Sequence, residues 1–80
     1  MSKSLAGTLR KDIDHAVGLQ ILKLREEYLL SPASLARFLE VSLSDYQAYE
    51  AGRKRVPAQQ LYVLAQLFGK PITLFFRGLT

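Results

Sequence analysis

The sequence predicts an all-α domain. Three observations carry that reading. Apolar residues recur at helical spacing, serine or proline stands at the head of most of the later apolar segments, and no alternating apolar and polar run bounded by turns occurs. From His15 the apolar residues Val17, Ile21, Leu24 and Tyr28 fall at spacings of four, three and four, which places one stripe on one face of a first helix. Upstream, Leu5, Leu9 and Ile13 recur every four residues. Residues 1–13 are therefore either an extension of that helix or, with Lys3, Arg10 and Lys11, a basic N-terminal arm; Gly7 and Thr8 weaken the helical alternative. Residues 14–78 form the domain proper.

The second helix is written in "SPASLARFLE". Ser31 supplies a capping oxygen, Pro32 has the backbone angle suited to a first helical position, and Leu35, Ala36 and Leu39 make an inward face. Ser42 is the next capping residue. It opens a third helix over 42–51, in which Tyr46 and Tyr49 follow Val41 inward and Gly52 ends the run. "GRKRVP" is a basic loop, and Pro57 opens a fourth helix whose inward residues are Leu61, Leu64, Ala65 and Phe68, with Gly69 closing it. Tyr62 is expected to pack inward as well, so base stacking on the tyrosines is not expected. Pro71 starts a fifth short helix over Ile72 to Phe76.

Composition narrows the function classes. Eighty residues is the size of one small domain, and with no cysteine there is no disulfide, thiolate metal site or thiol nucleophile. The longest run without a charge, Val56 to Gly69, is 14 residues, against roughly 20 for a membrane span. A cytoplasmic setting away from the membrane is expected. A net charge of +4 and a pI near 9.7 favour a polyanionic partner. The lone His15 lacks a nucleophile and orienting acid at readable spacing, and Asp12, Asp14 and His15 read as a cap and solvated turn rather than a metal site. Without a glycine-rich phosphate loop either, neither an enzyme nor a cofactor is expected.

Two short helices joined by a tight turn, with Ala36 and Val41 flanking it, form a helix-turn-helix. From about Val17 to Phe76, through "LREEYLLSPASLARFLEVS", "YEAGRKRVP" and "LYVLAQLFGKPITLFF", the sequence resembles the phage-repressor type of helix-turn-helix, also called the xenobiotic-response-element family. The resemblance implies a five-helix domain of the kind found in small bacterial regulators, with the third helix in the DNA major groove. It implies that Arg25 pairs with Glu50 and fixes the angle of that helix. It gives base reading to Leu43, Ser44, Asp45, Gln47 and Ala48, and phosphate contact to Ser31, Ser34, Ser42, Arg53, Lys54 and Arg55. Leu74 and Leu79 are candidates for a two-fold interface.

Five positions depart from the family pattern. Pro32 replaces a glutamine whose amide and backbone N–H hold a phosphate, and Glu40 stands where the turn has glycine. Leu43 offers only apolar contact to a thymine methyl, Asp45 either accepts from a cytosine amino group or repels phosphate, and Ala48 replaces a longer side chain. The expectation is a sequence-specific regulator that binds double-stranded DNA as a homodimer. The alternative is a degenerate scaffold that binds a protein, such as a partner regulator or polymerase subunit, or an antitoxin that binds both.

Overall fold

The computed structural model describes the backbone of residues 2–77 and the side chains of residues 11–77. Helix α1 (Ser2–Glu27) is followed by α2 (Pro32–Leu39), α3 (Leu43–Ala51) and α4 (Ala58–Phe68), and then by a 3-10 turn (Ile72–Phe76). No strand occurs among the described residues. The all-α expectation holds, with four α-helices rather than five. Pro71 lacks an N–H and only five residues follow before the chain extends again at Arg77, which leaves room for i to i+3 bonds such as Leu74 N–H to Pro71 O at 3.0 Å. What this short turn achieves is burial of Phe75, which has no exposed surface.

Helix α1 is continuous from Ser2, so no break in secondary structure falls at residue 13. Its inward stripe of Val17, Ile21 and Leu24 meets Tyr46 and Tyr49 of α3, Leu35, Ala36 and Leu39 of α2, Leu61, Leu64, Ala65 and Phe68 of α4, and Phe75 in one core. The approach of α1 to the end of α3 depends on two glycines. A Cβ on Gly18 would sit 2.6 Å from the Glu50 carbonyl oxygen, and one on Gly52, whose φ is +74°, would sit 2.8 Å from the His15 Cα. Neither position admits a side chain without moving backbone.

The helix heads form as their residues dictate. Ser31 Oγ accepts from the Ser34 N–H at 3.1 Å and Ser42 Oγ accepts from the Asp45 N–H at 3.0 Å, each satisfying a donor left free by the helix start. Helix α2 ends on Glu40 at φ +60°, where glycine would carry no steric penalty and any L side chain costs about 1–2 kcal/mol. The Val41 N–H bond to Ala36 O at 3.0 Å closes the turn and compensates in part.

Two tyrosines depart from expectation. Tyr62 is 63% exposed, because the inward stripe of α4 is already filled by Leu61, Leu64, Ala65 and Phe68, and residue 62 lies off it. Tyr28 lies beyond the end of α1 and is half-exposed. There the chain turns through Leu29 at φ +58°, and the Tyr28 hydroxyl donates to Phe68 O at 2.8 Å while its ring meets the Phe68 ring edge-on at 5.0 Å. Tyr28 thus ties the start of the helix-turn-helix to the end of α4.

Candidate nucleic-acid interface

Helix α3 divides into a braced inner face and an open outer one. Tyr46 and Tyr49 fill the inner face and are 0% and 3% exposed. Glu50 links the Tyr46 hydroxyl to Arg25 of α1. Arg25 Nε donates to Glu50 Oε2 at 2.6 Å, a second guanidinium nitrogen lies 3.5 Å from Oε1, and a third donates to the Leu30 carbonyl at 3.0 Å. The Tyr46 hydroxyl also donates to Glu50 Oε2. Burial and this bond to a carboxylate push the Tyr46 hydroxyl well above the usual tyrosine range, so it stays protonated. The bond to Glu50 likewise raises the Arg25 guanidinium above its ordinary value. Both side chains of the ion pair are nearly covered, at 13% and 14% exposure. The cluster joins α1, the α1–α2 turn and α3, and a planar guanidinium with donors on three nitrogens is what allows it.

On the outer face Leu43, Ser44 and Gln47 are exposed, while Asp45 and Ala48 are partly so. The loop after α3 starts at the helix's C-terminal cap, where the Arg53 and Lys54 N–H groups both donate to the Ala48 carbonyl, at 2.9 and 3.3 Å. Its three cations then part company. Lys54 Nζ lies 3.0 Å from Asp45 Oδ1 on α3, Arg55 Nε donates to Asp14 Oδ1 on α1 at 2.9 Å, and Arg53 has no acidic partner among the described residues. Two of the three loop cations offered as phosphate contacts are therefore engaged within the chain, and among the described residues Arg53 alone of the three has no acidic partner.

At the head of α2 the Ser31 hydroxyl donates to Ser34 Oγ at 2.9 Å. The Ser34 hydroxyl proton remains available, and so does that of Ser42, whose oxygen alone is used in capping. Leu74 is partly buried against the core, which leaves only part of it for a partner, and Leu79 lies outside the described residues. Neither pair formed by the loop was legible from spacing. Tyr46 and Glu50 are four apart on one helix, so that bond did have a sequence signal. Asp12, Asp14 and His15, expected as a cap and solvated turn, lie instead within continuous α1, where Asp14 anchors Arg55, and no group of three metal-ligating side chains gathers among the described residues. No helix there is long and apolar enough to cross a membrane.

A family model described as helix-turn-helix matches residues 21–75, from the buried stripe of α1 to Phe75. The chain belongs to the phage-repressor-like helix-turn-helix family. Within that family's motif α2 is the first helix and α3 the second, with Glu40 in the turn between them. A relative in Rhodospirillum rubrum, described as an uncharacterized transcriptional regulator in the ATPase CF(0) region, is 37% identical over 67 residues. The match covers 84% of this helix-turn-helix chain but 62% of the relative, so the chain spans less than two thirds of that protein's length. No solved structure matches it.

Proposed function

We propose that this helix-turn-helix chain binds double-stranded DNA with sequence preference and regulates transcription, acting as a dimer with α3 in the major groove. The observation that carries the reading is the division of α3: its outer face is open and carries Ser44, Asp45 and Gln47 beside apolar Leu43 and Ala48, while its inner face is locked to α1 through Glu50, Arg25 and Tyr46. A helix that reads base edges must hold its angle while its outer side chains remain free, and the major groove is wide enough, at about 12 Å, to admit it. Leu43 meets a thymine methyl, and Ser44 and Gln47 supply hydrogen bonds to base edges. The hydroxyl protons of Ser34 and Ser42, with Arg53, hold phosphates and set the register. Leu74 and Leu79 belong to the two-fold contact, which sets the reading helices about 34 Å apart, one turn of DNA.

One observation favours a protein partner as a second reading. Leu29 is 91% exposed on a left-handed turn, and Phe38 on α2 is also about half exposed. The two readings separate in a pull-down of genomic fragments on the immobilised chain. Enrichment of a common short sequence supports DNA binding. Recovery of no preferred fragment contradicts it.

A further inference from the structure

We infer that Asp45 and Lys54 read one base pair together, as a single unit with a fixed orientation on a C·G pair. The inference deepens the DNA-binding reading and rests on it. Asp45 lies in the first turn of α3, and Lys54 reaches back to it from the loop beyond the other end of the helix. The Lys54 backbone N–H is on the Ala48 carbonyl and its Nζ is 3.0 Å from Asp45 Oδ1, so the lysine stem runs along the helix past Ala48. A small residue at 48, one turn from Asp45, leaves that path open. Both charged groups remain about half exposed on the outer face, at 44% and 50%, so a base edge has access to them.

The spacing of the two charges has a counterpart on DNA. In the major groove a C·G pair presents the cytosine N4 amino donor beside the guanine O6 acceptor, and these two atoms are hydrogen-bonded to each other at about 2.9 Å. An anion and a cation 3.0 Å apart therefore face a donor and an acceptor at matching separation: Asp45 accepts from N4, and Lys54 donates to O6. Lys54 has a further N–H for guanine N7 beside O6. The A·T pair also sets a donor, adenine N6, beside an acceptor, thymine O4, but the groups that flank them are wrong. With Asp45 on adenine N6 the acceptor N7 lies against the carboxylate, and the thymine methyl lies against the ammonium. The reversed G·C pair sets O6 against Asp45. Lys54 stays with Asp45 on DNA rather than moving to a phosphate, because its departure leaves a bare carboxylate in the negative field of the groove.

The test is site selection from a random duplex library by the parent chain, Asp45→Asn, Lys54→Met and the double variant, followed by affinities on the selected duplex and its single-base-pair variants. Both side chains are about half exposed and neither lies in the core, so both substitutions are compatible with folding. The parent should select one C·G pair per half-site that each single variant ceases to discriminate, with a loss of about 10- to 100-fold in preference at that pair alone. The double variant should discriminate there no worse than either single one. If Lys54→Met instead weakens all duplexes alike and flattens the salt dependence while Asp45→Asn tightens them all, the unit does not exist, although DNA reading survives. If the parent selects no sequence, both this inference and the reading beneath it fall.

Discussion

Glu50→Ala tests the cluster that braces α3. The substitution removes the acceptor of Arg25 Nε at 2.6 Å and that of the Tyr46 hydroxyl, in a place where both charged side chains are about 86–87% covered. Leu30 O remains to Arg25, so the guanidinium is not wholly abandoned. Breaking one partner of a buried pair costs about 3–5 kcal/mol, and leaving a buried hydroxyl unsatisfied costs about 1–3 kcal/mol. Because the pair lies at the edge of the core and one guanidinium bond survives, the lower end applies, about 3 kcal/mol. For a domain of this size about 3 kcal/mol corresponds to a fall in Tm of roughly 12–24 °C. Urea unfolding followed by far-UV circular dichroism, with parent and variant at one pH and salt, measures it. A loss of about 1 kcal/mol or less is what an exposed pair gives, and would refute the claim that this cluster holds α3 against α1.

Three further outcomes follow from particular residues. Glu40→Gly should stabilise the chain by about 1 kcal/mol in the same unfolding assay, since the turn holds φ +60° and glycine removes the steric cost there, offset in part by its freer unfolded state. The folded state binds the Tyr46 proton more tightly than the unfolded state does, so the stability this contributes is complete below pH 10 and declines as pH rises beyond it; Tyr46→Phe should flatten that alkaline decline in unfolding curves taken between pH 8 and pH 11. Arg53→Ala should lower the slope of log affinity against log salt by about 0.9 while leaving the preferred duplex unchanged, and an altered preference would show that Arg53 touches bases.

The parts of the fold that the sequence revealed are those set by local rules. Ser31, Pro32 and Ser42 act within one turn of themselves, so their capping roles are readable from neighbours alone, and the stripes of α2 and α4 repeat at the helical period. Arg25 and Glu50 are 25 residues apart, and only the family resemblance brought them together. The remaining contacts depend on a side chain reaching back along a helix or on one helix approaching another. Lys54 meets Asp45 because its side chain reaches back along α3 from the loop beyond the helix end, and Asp14 meets Arg55 across 41 residues. Gly18 carries no signal in its own segment; its small size is required by the Tyr49 and Glu50 backbone packed against it. The run "RKR" shows the same limit from the opposite direction. Three adjacent cations are identical in pattern, yet tertiary contacts give each a different environment. Tyr62 stays outside because a helix stripe already filled by four apolar residues has no room for a fifth beside it.

The most direct test of the central claim is a specificity ratio. Fluorescence anisotropy of the purified chain on its selected duplex and on a scrambled duplex of equal length, both at about 0.15 M salt, measures it. The open outer face of α3 predicts that the selected duplex is bound at least about 1,000-fold more tightly, the range in which base reading adds to phosphate attraction. Equal affinities for the two duplexes would mean that Leu43, Ser44, Asp45 and Gln47 read nothing and that the cations alone bind, which contradicts the account.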